Sequence, residues 1–402
     1  MTTSPEDHVS RYSRPSDLEI TDLRIANLAG VPFRSTIVRL DTNQGISGYG
    51  EVRDQASATY ALLLKTRLLG ENPCNIDKIF RKIKQFGGHG RQAGGVCGVE
   101  MALVDLAGKA YGVPAYALAG GRFRDKVQCY ADTPASPDPT ELGERLLERR
   151  KRGYKFLKMD VGIDLLWDIP GALVAPPGAR DATATMHPFT GIQVTDKGVD
   201  YLVDYVATVR SIVGYDVPLA ADHFGHIPLD ACIRIGRALE PFTLAWVEDM
   251  IPWQYTEQWR QLTAAITTPT CTGEDIYLKE NFRPLVEGGA VRIIHPDPAT
   301  SGGILETKKI ATLAAVHIAA ATNNFLALEH HAADVPWWSD LIAGGPSPLV
   351  DDGYIAVPEG PGLGFEGINE DLFREHLDPA RPVFFDDTAA WDHESSHDRP
   401  WS

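Results

Sequence analysis

Three acids in the chain share one spacing. Asp222 ends the run VPLAAD, Glu248 ends TLAWVE and Glu274 ends TPTCTGE, so each lies 26 residues after the one before. Each run reads as a buried strand, and a charge at the end of one is costly unless something compensates it. A (β/α) barrel repeats every roughly 30 residues. The spacing therefore puts the three acids on adjacent parallel strands, all at the same C-terminal face. Carboxylates converging there repel one another unless a cation sits between them. A ligand set of carboxylates alone, without Cys or His, suits Mg²⁺, which keeps waters or substrate oxygens in its other positions. Any one of these acids could equally be a helix N-cap at the start of a βα loop; three at equal spacing favour a shared metal site.

Further polar residues fall at the same kind of position. In FLKMD, Lys158 and Asp160 are two apart, so on a strand both face one side, here the barrel lumen. A plain ion pair at the rim is the competing reading. IIHPDPATSGG places Asp297 at a strand end 23 residues after Glu274, with Gly302-Gly303 opening the next helix. FLALEHH ends in Glu329, His330 and His331, and His223 and His226 follow Asp222. Trp253 and Trp337 are candidate walls of the mouth. His187 lies in a Pro- and Gly-rich excursion over 163–198 that can fold over the site, although a surface histidine is the plainer reading. His89 reads as structural or solvent-exposed.

The elements that position these residues follow from pattern. Residues 18–52 alternate and turn near Asn43-Gln44-Gly45, which predicts a small antiparallel meander. Residues 55–119 turn helical, with GVCGVEMALVDLAGKAYG as the richest helix former and Gly112-Val113-Pro114 as its stop. From Val127, β-rich runs alternate with helical segments, which argues for parallel βα units. The expected division is an α+β domain over 1–126, a barrel over 127–352, and a turn-rich segment with a polar tail over 353–402. The fold class is α/β.

Composition narrows the partners. The net charge of -16 argues against nucleic acid and against an anionic membrane surface. An anionic substrate then needs local cations. No unbroken apolar run reaches membrane-spanning length. Cys74, Cys97, Cys129, Cys232 and Cys271 are scattered and form no CxxC, the pattern of reduced thiols in a cytoplasm. The start carries no apolar signal region.

Together these residues resemble the enolase superfamily, in its mandelate racemase subgroup, from about Leu18 to Leu377. The matches are Asp222, Glu248 and Glu274, the helix GVEMALVDLAGKAYGVPAYALAGG, the PD-x₄-GG run at Asp297, and GPGLG near the C-terminus. The resemblance implies a capping domain, completed by the C-terminus, over a TIM-like (β/α)₈ barrel. It implies Mg²⁺ on the three acids and removal of a proton α to a carboxylate. Two departures stand out. Many members carry Lys-x-Lys on the second barrel strand, with the second Lys as base; here Asp160 occupies that slot, and Lys158 matches the Lys beside the substrate carboxylate. Neither His223 nor His226 fits the Asp-x-His of some sugar-acid dehydratases.

The second departure is a missing unit. In the family Asp297 orients a histidine on strand seven and Glu329 ends strand eight, two units on. Here the two lie 32 residues apart, where one unit is 23 to 26. Strand seven and its histidine are absent, and His317 falls in the tail of a helix. A closed barrel cannot lose a strand without exposing two edges, so an omitted segment is the favoured reading.

The expected activity is Mg²⁺-dependent dehydration of a sugar acid to a 2-keto-3-deoxy acid, by a soluble cytoplasmic homo-oligomer acting on a small molecule. Lys158, Asp160, His226, Asp297 and Glu329 are the catalytic candidates. His223, His187, Trp253, His330 and Trp337 are the substrate contacts. A racemase, epimerase or cycloisomerase using the same enediolate is the alternative, and a non-catalytic metal-binding barrel is the reading if the deletion is real.

Overall fold

The computed structural model describes residues 13–180, 190–222, 227–310, 321 and 324–394. His187, His223, His226 and His317 lie outside the described residues.

The N-terminal meander forms as its alternation requires. Strands β1 (Ile20–Leu28), β2 (Ser35–Thr42) and β3 (Ser47–Val52) pair antiparallel in that order. The tight connection from β2 to β3 passes through Gly45 at φ +77°. One face packs against helix α1 (Gly94–Tyr111), which ends in a left-handed Gly112. Helix and sheet approach backbone to backbone. A Cβ on Gly50 of β3 would stand 2.0 Å from the Gly98 carbonyl oxygen of α1, so any side chain there would push the helix away. This close seat sets the end of β3, and with it Glu51 and Arg53, over the barrel.

The barrel strands are β4 (Lys126–Ala131), β5 (Leu157–Asp160), β6 (Leu219–Asp222), β7 (Val247–Glu248), β8 (Thr270–Thr272), β9 (Ile293–Ile294) and β10 (Leu328–His330). β5 to β9 form one parallel ladder, and β10 pairs parallel with β4. Helices such as α2 (Pro139–Lys151), α3 (Asp196–Val213), α4 (Leu229–Leu239) and α5 (Thr256–Ala265) cover the outside. Outward residues Leu157, Met159, Leu219 and Val247 share a core with Leu146, Val209, Ile235 and Trp259. The inward residues Tyr130, Phe156, Ala220, Trp246 and Cys271 plug the lumen, with the Phe156 and Trp246 rings stacked at 4.8 Å. The active mouth sits above this apolar floor.

Each β-rich run read from the sequence is a strand, but the ladders are short. In FTLAWVEDM only Val247–Glu248 is strand; Phe242 closes a 3₁₀ turn and Thr243 is left-handed. Among the described residues, no strand pairs with the outer edge of β9 or with the edge of β10 away from β4.

The C-terminal segment touches the barrel before the cap. Strand β11 (Tyr354–Ala356) pairs antiparallel with the first half of β4. The GPGLG run then docks on α1, where buried Asp105 accepts from the amides of Leu363 (2.8 Å) and Tyr49 (3.0 Å). Bridges from Leu377 to Leu28 and from Phe384 to Ala26 close the segment onto β1.

Candidate active site

The C-terminal strand ends bring Lys158, Asp222, Glu248, Glu274, His295 and Glu329 to one mouth. A cavity of about 510 Å³ opens there, lined by the barrel residues Asp132, Lys158, Asp160, Asp222, Glu274, His295, Asp297, Glu329, His330 and His331, and by Phe33, Glu51, Arg53 and Arg91 of the cap. Period-two alternation on β5 turns Lys158 and Asp160 to the same side, the lumen.

Lys158 is the centre of charge. It is 6% exposed. Its ammonium lies 2.9 Å from Asp222 Oδ2, 2.9 Å from Glu329 Oε1 and 3.8 Å from Glu248 Oε2. Burial alone would drive the proton off, but the attraction of Asp222, Glu248 and Glu329 outweighs it and holds the lysine charged far above its ordinary range. For Glu329, burial works against ionisation, yet Lys158 with His331 and His295 keeps its pKa below the usual carboxylate value.

Glu248 is fully buried and gripped on both oxygens. The Trp246 indole N–H donates to Oε2 at 2.8 Å, and His295 Nδ1 lies 2.5 Å from Oε1. Burial opposes charge on His295, but Glu248, with Glu329 behind it, lifts its pKa to about 10. Asp249 follows with a left-handed φ of +46°, a strained conformation for a residue other than glycine. Its Oδ1 accepts from the Thr272 hydroxyl at 2.6 Å. Carboxylate oxygens of Asp222, Glu248 and Asp249 lie within 4.8 Å of one another. Burial, then the charges of Glu274, Asp222 and Glu248, push the Asp249 carboxyl far up.

A second cation comes from the cap. Arg53, just past β3, has a side chain only 8% exposed and pairs with Asp297, with Asp54 at 2.9 Å and with Glu274 at 3.7 Å. Burial raises the Glu274 carboxyl, Arg53 lowers it, Asp222 raises it again, and it comes to rest at about 7. Opposite, His331 Nδ1 lies 3.5 Å from Asp132 Oδ2, and its Nε2 lies 3.7 Å from Glu329 Oε2.

Comparison of the chain with known proteins places it in one family. The family description "Enolase C-terminal domain-like" matches residues 141–316 and 310–372, and "Mandelate racemase / muconate lactonizing enzyme, N-terminal domain" matches 23–120. The chain belongs to the enolase superfamily, in its mandelate racemase subgroup. D-xylonate dehydratase of Haloferax volcanii is 31% identical over 399 residues, covering 92% of this chain and 91% of that protein. D-galactonate dehydratase of Verminephrobacter eiseniae is 27% identical, covering 86% and 91%. Among solved structures, a mandelate racemase/muconate lactonizing enzyme-like protein from Rubrobacter xylanophilus superposes with a TM-score of 0.78 at 30% identity, covering 91% of this chain and 99% of that one. The two named relatives are sugar-acid dehydratases, a kind of hydro-lyase. The enolase-superfamily architecture of capping domain and TIM-like barrel, expected from the sequence, is thereby shown.

Within that frame the structure redistributes several expected roles. Asp222 and Glu248 stand together as expected, with Asp249 as a third carboxylate within 4.8 Å, while Glu274 lies 3.7 Å from Arg53. Asp297 takes Arg53 and Thr300 as partners and caps a short helix through the Ala299 amide at 2.8 Å; the strand-seven histidine that the resemblance would set beside it is absent from the sequence. Trp253 and Trp337 do not line the cavity. Trp253 packs on His89, ring centroids 4.5 Å apart, and Trp337 stacks on His376 at 3.6 Å; the indole at the mouth is Trp338. His330 lines the cavity, but its Nδ1 is 3.0 Å from the Tyr154 hydroxyl, and burial followed by the charge of His331 depresses its pKa to about 4.

Sequence reasoning missed His295, Asp249, Arg53 and Asp132. His295 had a signal: it directly follows β9 in IIHPD and lies two before Asp297, so the rule that found the other strand-end residues applies one step earlier. Arg53 had none, because a residue after a cap strand meets the barrel only through tertiary docking.

Proposed function

We propose that the protein is a Mg²⁺-dependent dehydratase of a sugar acid. The observation that carries this reading is Lys158, charged and buried among Asp222, Glu248 and Glu329 on the floor of a cavity whose lining presents many charged side chains beside apolar ones. So many hydrogen-bonding groups in one lining suit a polyhydroxylated carboxylate. The family membership and the named dehydratase relatives point the same way.

The residues present fit a hard cation. Four acids, Asp222, Glu248, Asp249 and Glu274, crowd one mouth, and the raised pKa values of Asp249 and Glu274 are those of carboxylates short of positive charge. We assign Mg²⁺ to Asp222, Glu248 and Glu274. Asp222 and Glu274 line the cavity, whereas the Asp249 carboxylate is tied to the Thr272 hydroxyl. When bound, the ion supplies charge stabilisation to the developing enediolate. Trp246 and His295 fix the orientation of Glu248. Lys158 sets its charge against the substrate carboxylate, favouring the enediolate oxygens in the same way. Asp160 lines the cavity at the position of the family's base, but a carboxylate's reference pKa of about 3.9 is a poor match to proton abstraction near neutrality. We therefore leave most of the proton transfer at Cα to His226 or to the strand-seven histidine.

The strand-seven unit itself is best explained as a segment omitted between β9 and β10. The interval from Asp297 to Glu329, the uncovered edges of those two strands among the described residues, and the break in the family match at 310–316 all support this. An intact mass of 44.0 kDa for the functional protein would refute it.

The test of function is incubation with Mg²⁺ and a panel of pentonic and hexonic acids, scoring 2-keto-3-deoxy products. Epimerised acid of unchanged mass would instead establish the racemase reading, and no conversion of any acid would refute both.

A further inference from the structure

We propose that His331, backed by Asp132, is the general acid that protonates the departing β-hydroxyl; this rests on the dehydratase reading above. Dehydration needs two proton movements on different atoms, one from Cα and one to the leaving oxygen. The second requires a group that is protonated, reaches the cavity and is not consumed in holding the enediolate. Among the described residues at the mouth, Lys158 is locked among Asp222, Glu248 and Glu329, and His295 is bound to Glu248. Both are committed to the carboxylate floor. His330 is engaged with Tyr154 and is the poorer acid because it is held neutral.

His331 differs in each respect. Its side chain is 49% exposed and lines the cavity. Asp132, the residue after β4, stands 3.5 Å behind Nδ1, and Glu329 stands 3.7 Å from Nε2. The second distance is too long for a hydrogen bond to retain the proton, so Nε2 can turn it to a substrate hydroxyl. Phe33 of the cap meets the ring edge-on, with centroids 5.7 Å apart, and fixes its plane. Burial opposes the charge, but Asp132 and Glu329 raise the His331 pKa above its ordinary value, so the imidazolium is available.

The step balances. The enediolate pair moves to form the Cα=Cβ bond as the Cβ–O bond breaks. The departing oxygen takes the Nε2 proton and leaves as water, and the resulting enol tautomerises to the 2-keto acid. The neutral imidazole recovers its proton from solvent.

The experiment uses the full chain with Mg²⁺ on D-xylonate, D-galactonate and arabinonate, and on 3-deoxy-3-fluoro analogues of the same acids, whose fluoride leaves without a proton. His331→Asn is expected to lower kcat for dehydration by about 10² to 10⁴. Exchange of the α-proton with solvent deuterium and fluoride release from the analogue should stay within a few-fold of wild type. Asp132→Asn, which keeps the ring and removes the charge behind it, should show the same split with a smaller loss. Wild-type dehydration by His331→Asn, or equal loss of all three readouts in both variants, would overturn the assignment. A wild type that dehydrates none of the panel would instead defeat the dehydratase reading, and this inference with it.

Discussion

Replacing Lys158 by Met isolates the charge at the centre of the site, because methionine keeps much of the side-chain volume and discards the ammonium. Three carboxylates lose their cation at once: Asp222 and Glu329 at 2.9 Å and Glu248 at 3.8 Å, all almost fully buried. Removing one partner of a buried ion pair costs about 3–5 kcal/mol, since the remaining charge stays unpaired in a poor solvent. The variant should therefore lose about that much unfolding free energy in urea with EDTA present. Mg²⁺ changes the outcome. Lysine and metal compete for the same oxygens of Asp222 and Glu248, so the variant should bind the ion at least as tightly as wild type. An ion at a hundred times its Kd stabilises a native state by about 2.7 kcal/mol, so excess Mg²⁺ should recover a large part of the loss while activity stays abolished. Paired urea melts with EDTA and with Mg²⁺ decide it. Equal stability of variant and wild type in EDTA, or a deficit that Mg²⁺ leaves untouched, would refute the claim that Lys158 acts as the counter-ion of a metal-binding cluster.

Other variants test neighbouring parts of the argument. Glu248→Gln should weaken Mg²⁺ binding sharply in calorimetry, and Glu274→Gln should weaken it more than Asp249→Asn; the reverse order would move the third ligand to Asp249. Glu100, 1% exposed in α1, accepts from the amides of Ile304 (2.6 Å) and Leu305 (2.9 Å), and burial lifts its pKa to about 8. A carboxyl whose folded pKa exceeds its unfolded value of 4.5 keeps its proton better in the native state, so its contribution to stability is complete below about 4.5 and is lost as pH rises through about 8. Glu100→Gln cannot ionise, so its urea midpoint should rise relative to wild type between pH 5 and pH 9, and a constant gap would contradict the buried neutral acid.

How far the sequence reached depends on which force places a residue. Positions fixed by chain periodicity were legible: the strand ends at Asp222, Glu248 and Glu329, the shared face of Lys158 and Asp160, and the meander over 18–52. Positions fixed by one unit docking on another were not. Arg53 reaches Asp297 only because glycines 50 and 98 let β3 and α1 touch, and Trp337 finds His376 only because the C-terminal segment returns. Side-chain direction at a known position was also beyond reach. Glu274 ends its strand on schedule but bends to Arg53, and of two adjacent histidines that both line the cavity, His330 pairs with Tyr154 while His331 faces Asp132 and Glu329.

The two buried cations explain why the cap belongs to the site. A chain with a net charge of -16 that gathers carboxylates at one mouth cannot hold them there by barrel residues alone. Lys158, from the barrel floor, answers Asp222, Glu248 and Glu329; Arg53, from the cap, answers Glu274, Asp297 and Asp54. Asp222 and Glu274 line the cavity between these cations, and each raises the energy of charging the other's neighbourhood. A divalent ion placed there would relieve repulsion that neither side chain cation removes. The contacts that seat the cap, Glu100 on the helix after Gly302 and the close approach of β3 to α1, are thus also what brings Arg53 within reach of the barrel acids. Because Arg53 competes for Glu274 as Lys158 competes for Asp222 and Glu248, loosening them should tighten metal binding without altering a single ligand.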